Sequence, residues 1–123
     1  MIEQEMNTQL AKINLASPIA DPDVAFNNAA GFLIHLNRIH PMQDGNGRMS
    51  TLLTEKYLQK ILPVAIFGEQ LRLEIPRADS RRMIGLITAW FTAREEDRPQ
   101  MIINLAQFLH GKVEAARTIP IQI

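Results

Sequence analysis

An all-α fold is predicted by the spacing of apolar residues and by the residues that interrupt it. Apolar side chains recur at intervals of three and four residues along most of the 123-residue chain, which is the spacing of one helix face. Proline, glycine and aspartate stand where these stretches begin and end. At 64–76 apolar and polar residues alternate over short pieces instead, so a strand or an irregular loop is expected there. The length and the absence of a linker predict one domain over 1–123, with a core of about 20–110.

Two proline dipeptides set the bounds of the second predicted helix. Asp21-Pro22 begins it, because aspartate is a good N-cap and proline suits the first helical position. His40-Pro41 ends it, because the residue before a proline is pushed out of the helical region. A short polar helix is expected before it, and a third helix follows it. In this half of the chain the predicted helices span 2–12, 22–39 and 46–61.

The second half is predicted to contain a pair of helices. Asp79 or Ser80 is expected to cap the first of them, because both side chains can accept hydrogen bonds from free N–H groups. The second is expected to start near Arg98-Pro99 and to end at His110-Gly111, because glycine is common just beyond a helix C-terminus. The predicted helices span 80–94 and 98–110, and 118–123 is expected to be extended.

Charge and composition exclude several classes of function. Lysine plus arginine number 13 and aspartate plus glutamate number 13, so the formal net charge is zero and neither nucleic acid nor a membrane is expected as a partner. The absence of cysteine excludes disulfides, thiolate metal sites and a cysteine nucleophile. The N-terminus does not have the pattern of a signal peptide, and no apolar run approaches a membrane span. A cytoplasmic protein is expected, with a secreted effector left open.

The segment 40–48, which reads HPMQDGNGR, differs from the rest of the chain in its chemistry. It joins two predicted helices, and its last residues open the second of them. The first N–H groups of a helix have no partner within it, and the helix dipole adds partial positive charge there. Two glycines allow a ligand to approach the backbone closely. These properties predict an anion site of the kind that holds phosphates.

Three side chains around this anion site form a set suited to phosphoryl-type transfer. Arg48 lies in the first helical turn, where the dipole disfavours a cation unless an anion is bound. Asp44 offers hard oxygen ligands of the type that Mg²⁺ prefers. His40 can accept a proton near neutral pH. The alternative is an ordinary turn between helices, in which Gly and Asn form the turn and Arg is solvated.

These nine residues resemble the Fic motif, HPFx(D/E)GN(G/K)R, at eight of nine positions. Met42 departs from the usual phenylalanine, and methionine can fill the same space. The preceding FNNAAGFLIHLNRIH and the later SRRMIGLITAWFTAREEDRPQMIINLAQFL are similar to helices of that family. The resemblance covers about 20–110. It implies a Fic-type helical bundle, with the active-site loop between two core helices, and a bacterial origin.

The resemblance also implies a nucleotidyltransferase that AMPylates proteins, moving AMP from ATP to a serine, threonine or tyrosine hydroxyl of a target protein. His40 would deprotonate this hydroxyl, and Asp44 would hold Mg²⁺. Asn46 would fix the α-phosphate through its side chain, and Arg48 would bind the outer phosphates. ATP, as co-substrate, and Mg²⁺ are therefore the expected cofactors. The expected site residues are catalytic His40, metal-binding Asp44, and phosphate-binding Gly45, Asn46, Gly47 and Arg48.

Three features of the family pattern are altered in this chain. Many active members carry a second arginine three residues after the first, where this chain has Thr51, so the γ-phosphate would be held less tightly or the donor would differ. The autoinhibitory pattern Ser/Thr-x-x-x-Glu-Gly/Asn has no good copy, since Thr51–Glu55 and Thr92–Glu96 are followed by other residues. Inhibition would then come from a partner such as an antitoxin. The family also uses a β-hairpin flap to hold the target segment, and in this chain only 12–20 could supply a short one.

Other functions stay open on the sequence alone. The same fold could use another donor, such as UMP, GMP or phosphocholine, which Thr51 favours. A non-catalytic nucleotide-binding or interaction module is favoured by the short flap and opposed by His40 and Asp44. A DNA-binding helix–turn–helix is opposed by the zero net charge. A homodimer is left open.

Residues outside the loop are interpreted mainly as structural. His35 lies five residues before His40, whereas a helical metal pair prefers four, so a surface or core histidine is favoured. His110 is interpreted as a helix-end residue. Arg81 and Arg82 are interpreted as a solvated helix start, with contact between Arg77, Arg81 or Arg82 and the nucleotide as a minor alternative.

Overall fold

A computed structural model describes residues 2–39, 46–62 and 71–118. Within these ranges the chain is all-α, as predicted, and no strand is formed. The stretch 71–76 is irregular, while the predicted break at His40-Pro41 and the tail beyond 118 lie outside the described residues. The helices are α1 (Ile2–Leu15), α2 (Pro22–Ile39), α3 (Asn46–Ile61), α4 (Ser80–Thr92) and α5 (Arg98–Thr118), and the 3₁₀ turns Arg77–Asp79 and Glu95–Asp97 precede α4 and α5.

The start of α2 confirms the cap that the sequence predicts. The Asp21 carboxylate accepts a hydrogen bond from the backbone N–H of Asp23 at 2.9 Å. The Asp21 carbonyl accepts the first bond of the helix, from the N–H of Ala25 at 3.0 Å. Pro22 is the first helical residue, where its missing N–H costs nothing. The start of the helix that leads to the loop is therefore fixed by local chemistry.

Helix α2 lies at the centre of the bundle and packs against each of the other four described helices. Ala25, Ala29 and Ala30 are fully buried, and such small side chains let neighbouring helices approach closely. The larger Phe26 and Leu33 fill the space between them. The main core also includes buried residues of α3, the irregular stretch, α4 and α5: Leu58, Ile61, Leu62, Leu71, Leu73, Met83, Ile87, Leu105, Ala106, Phe108, Leu109 and Val113.

Helix α1 packs on α2 and α3 through a smaller second cluster. Ile13 is buried against Phe32 and Leu36, and Met6 and Leu53 pack around them. The helix extends three residues beyond the predicted end at 12, because Ile13 continues the face that is buried against α2. The first helix is therefore held by a narrow apolar face, and its other sides are exposed.

Helices α4 and α5 form an antiparallel pair that is fixed near both ends. Near one end, Nε of Arg98 donates a hydrogen bond to the carbonyl of Trp90 at 3.2 Å, and its guanidinium lies 4.1 Å from the centroid of that indole ring. Near the other end, Nζ of Lys112 lies 2.6 Å from Oδ2 of Asp79. Asp79 occupies the N-cap position of α4 but makes no side-chain capping bond. The predicted capping role is therefore wrong, since the carboxylate pairs with Lys112.

The predicted end of α5 at Gly111 is also wrong, because the helix continues to Thr118. Val113 is fully buried one turn after Leu109, so the buried face runs past the glycine. Burial of that face outweighs the roughly 1 kcal/mol that a mid-helix glycine costs. His110 consequently lies inside the helix, where its ring stacks on Phe26 at a centroid distance of 4.4 Å. Its interpretation as a helix-end residue does not hold.

Candidate functional site

The loop that carries the predicted chemistry connects α2 to α3. His40, Asp44 and Gly45 lie outside the described residues. Asn46 is the first residue of α3, within the predicted range for its start. Gly47 follows as the second helical residue, and Arg48 as the third, with an exposed side chain. The loop therefore joins two core helices, and its last residues form the first turn of α3.

The first turn of α3 has the electrostatic character of an anion site. Its backbone N–H groups have no acceptor four residues earlier in the helix. No acidic residue lies in this turn, whereas Arg48 does. The positive end of the helix dipole and the guanidinium then repel each other, at a cost of a few tenths of a kcal/mol for an exposed charge. A bound anion would offset that cost, which is the property expected of a phosphate-binding turn.

The position of α3 is held by buried polar contacts as well as by the apolar core. Thr54 is fully buried, and its hydroxyl donates a hydrogen bond to the carbonyl of Ser50 at 2.8 Å. At the far end of the helix, the N–H of Ile19 donates to the carbonyl of Ile61 at 2.8 Å. This second bond ties the segment that leads into α2 to the last residue of α3. Both helices that flank the loop are therefore fixed to each other at the end away from it.

A contact that the sequence did not indicate links α3 to the irregular stretch at 71–76. The Glu55 carboxylate accepts a hydrogen bond from the N–H of Leu73 at 2.9 Å. One turn later, Nε2 of Gln59 donates to the carbonyl of Leu71 at 2.9 Å. No sequence motif marks Glu55 and Gln59. Their partners are backbone groups that the fold, and not the local sequence, brings within hydrogen-bonding distance. Glu55, the glutamate in the partial Thr51–Glu55 match to the autoinhibitory pattern, therefore has a structural role in this fold.

The histidine on α2 has surroundings unlike those of a metal ligand. His35 is half-buried, and burial together with the positive charges of Lys12 and Arg38 lowers its pKa below the ordinary 6.5. Within the part of the chain that the structure describes, no group of three or more histidine or acidic side chains could hold a metal ion. The interpretation of His35 as a structural residue fits both observations.

Arg82, at the beginning of α4, lies away from the loop, close to the part of α5 that packs near the start of α2. Arg82 and Lys112 both approach the ring of Phe108, and the neighbouring His110 stacks on Phe26. Phe26 precedes the last residue of α2 by 13 positions, which corresponds to about 20 Å along the helix axis. This placement opposes the minor alternative in which Arg77, Arg81 or Arg82 contacts a nucleotide bound at the loop.

The predicted flap is not formed in the range suggested for it. Lys12–Leu15 belongs to α1, and 16–20 is irregular, with the Ile19 bond to α3 described above. The helical periodicity of α1 continues past residue 12, which removes part of the sequence that a hairpin would need. The suggestion of a short β-hairpin at 12–20 is therefore wrong.

A groove of about 450 Å³ lies between α1 and the end of α3, apart from the loop. Tyr57 and Ile61 line it from α3, and Ile61 is the last residue of that helix, about 22 Å from its start. Burial raises the pKa of Tyr57 above the ordinary 10.0, and its ring stacks on Phe32. The other lining residues are Thr8, Ala11, Lys12, Leu15, Ala16, Ser17 and Ile19. This groove is thus not part of the predicted phosphate site.

Among the described residues, no helix is both long and apolar enough to cross a membrane. Comparison with known proteins gives one match: residues 1–58 fit the model of the Fic/DOC family. No curated protein and no solved structure matches the chain significantly. The match contains the whole loop together with α1, α2 and most of α3, whereas the resemblance predicted for 59–110 stays a prediction. Residues 1–58, a little under half of the chain, are therefore similar to the Fic/DOC family, which supports the resemblance to a Fic domain.

Proposed function

We propose that this protein transfers AMP from ATP to a hydroxyl of a target protein. The observation that supports this most is the complete loop HPMQDGNGR, which lies within the Fic/DOC match and ends in the first turn of α3. The similarity of residues 1–58 to that family supports a Fic-fold transferase in general. The choice of AMP, ATP and a protein hydroxyl is the further step of the proposal.

The proposed reaction uses the loop from both ends. The His40 imidazole accepts the proton of the target hydroxyl as its oxygen attacks the α-phosphorus of ATP. The new oxygen–phosphorus bond forms while the bond to the β-phosphate oxygen breaks, and pyrophosphate leaves. The N–H groups of Gly45, Asn46 and Gly47 bind the α-phosphate, because the dipole of α3 points its positive end at the same place. Arg48 binds the outer phosphates.

Asp44 would hold Mg²⁺, which supplies charge neutralisation at the phosphates. One carboxylate is an adequate protein donor set, because Mg²⁺ usually completes its shell with substrate phosphates and water. Two other partners are proposed alongside the metal: the target protein, and an inhibitor or antitoxin that would regulate a chain with no good autoinhibitory motif. A cytoplasmic location belongs to the same proposal.

A second candidate, transfer from another donor such as UTP, GTP or a phosphocholine compound, is favoured by Thr51. This residue lies one turn after Arg48 on α3, is half-buried and carries no charge. Thr51 therefore supplies no second cation to bind a γ-phosphate. The preference for a nucleoside triphosphate over other donors is weaker as a result.

The test is incubation of the purified protein with cell lysate, Mg²⁺ and ATP labelled at the α- or the γ-phosphate. AMP transfer labels a protein from α-labelled ATP only, whereas phosphate transfer labels it from γ-labelled ATP. His40→Ala should abolish labelling but keep ATP binding, and His35→Gln, a matched histidine replacement five residues earlier in the sequence, should keep both. Labelling by His40→Ala at the level of the unchanged protein would refute the catalytic role. Labelling from α-labelled UTP or GTP instead would favour the second candidate.

A further inference from the structure

Four basic residues lie where α4 begins and α5 approaches its end. This basic cluster consists of Arg77, Arg81, Arg82 and Lys112. Nζ of Lys112 lies 5.4 Å from the ring centroid of Phe108, and Cζ of Arg82 lies 5.7 Å from the same centroid. Arg77 lies in the 3₁₀ turn that runs directly into α4, and Arg81 lies in the first turn of that helix. Two separate elements therefore bring their cations to one surface.

The basic cluster has a local excess of positive charge in a chain that is neutral overall. Asp79 is the acidic residue within 77–82, and its carboxylate is taken up by Lys112 at 2.6 Å. Among the described residues no ion pair involves Arg77, Arg81 or Arg82, and all three side chains are exposed. Three arginines without an ion pair within six residues do not stabilise the fold, since like charges on neighbouring turns repel each other.

We propose that the basic cluster is a docking surface for a short acidic segment of a partner protein. Guanidinium groups bind carboxylates through two parallel hydrogen bonds, so three exposed arginines can hold several acidic side chains of one segment. The ring of Phe108, flanked by Arg82 and Lys112, limits the freedom of both cations. The cations are thus partly ordered before a partner arrives, which lowers the entropic cost of binding.

The charge distribution along the α4–α5 pair favours a short segment over a long polyanion. Glu95, Glu96 and Asp97 lie in the turn at the opposite end of α4. The 13 residues of α4 separate the two ends by about 20 Å, which exceeds the Debye length of about 8 Å at physiological salt. A short acidic segment would contact the basic cluster without repulsion from the acidic turn. A nucleic acid long enough to span the pair would meet that turn.

This docking surface lies near the start of α2, about 20 Å along that helix from the loop. It does not depend on the proposed transferase activity, and its test measures binding rather than labelling. The probe is a fluorescein-labelled peptide of six glutamates flanked by glycine and serine, followed by fluorescence anisotropy at about 0.15 M salt. The same peptide with six glutamines and a DNA oligonucleotide of equal charge serve as comparison ligands.

Arg81→Gln/Arg82→Gln should weaken glutamate-peptide binding about tenfold, the expected scale for two lost charge contacts. Arg72→Gln/Arg94→Gln removes the same charge from exposed positions outside the basic cluster and should change binding less than about twofold. Asp79→Asn removes the internal carboxylate, frees Lys112 and should tighten binding about threefold. Circular dichroism confirms that each variant is folded.

Several results would overturn the proposal. The first is no binding of the glutamate peptide by the unchanged protein, or equal binding of the glutamine peptide. The second is an equal loss in both arginine pairs, which would indicate an effect of net charge alone. The third is weaker binding by folded Asp79→Asn. Tighter binding of the oligonucleotide than of the glutamate peptide would assign the basic cluster to nucleic acid instead.

Discussion

Replacement of Glu55 by alanine should destabilise the protein through the backbone of a distant segment. The Glu55 carboxylate accepts the N–H of Leu73 at 2.9 Å, and Leu73 is 5% exposed. A hydrogen bond to a charged group contributes about 1.5–3 kcal/mol, and its removal leaves a poorly solvated N–H group without an acceptor. A loss of about 2 kcal/mol is therefore expected. For a chain of 123 residues, a loss of about 2 kcal/mol lowers Tm by about 6–10 °C.

The assay is urea unfolding followed by circular dichroism, combined with hydrogen exchange at the Leu73 amide. Glu55→Gln keeps an acceptor oxygen without the charge, so it should lose about half as much. Glu74→Ala is the matched control: its side chain is 56% exposed and lies 3.9 Å from Arg72, so its loss should stay below about 0.5 kcal/mol. Equal losses for Glu55→Ala and Glu74→Ala, or unchanged exchange at Leu73, would refute the contact as a source of stability.

Two other predictions concern α5 and α2. Gly111→Ala should stabilise the protein by about 0.5–1 kcal/mol in urea unfolding. The reason is that α5 continues through this position and an added Cβ meets nothing within 4 Å. Destabilisation would instead indicate that the helix ends there. The lowered pKa of His35 means that the unfolded state binds more protons near pH 6.5, so its contribution to stability is present above that pH and falls as the pH drops below it. Urea midpoints from pH 5 to 8 should fall less toward acid for His35→Gln, and identical slopes would contradict this.

Much of the fold could be predicted because its signals are local. The Asp21-Pro22 start of α2 and the start of α3 near Asn46 depend on a few adjacent residues, and both predictions are confirmed. The end of α5 was wrong because Gly111 is a local stop signal that the burial of Val113 overrides. Asp79 was assigned to capping because sequence alone does not reveal that α5 brings Lys112 within 2.6 Å.

The candidate site could be predicted in its residue types but only partly in its surroundings. The loop sequence and its place before α3 follow from adjacent residues, and the family match over 1–58 includes them. The roles of His40, Asp44 and Gly45 stay predictions, since these residues lie outside the described ranges. The contacts of Glu55 and Gln59 with the 71–76 stretch were missed because they join positions far apart in sequence.

The hydrogen bond between Ile19 and Ile61 has a geometric consequence for the loop. It joins the segment just before α2 to the end of α3 that lies away from the loop, so any change in the angle between the two helices about this contact is magnified at the loop. Each helix is about 24 Å long or slightly more, and a change of 1° in the angle between them moves the loop ends apart by about 0.4 Å. Catalytic groups generally need placement within about 0.5 Å. The angle between α2 and α3 must therefore be held to about one degree, and the side chains packed along the pair, such as Phe32 stacked on Tyr57, contribute to holding it.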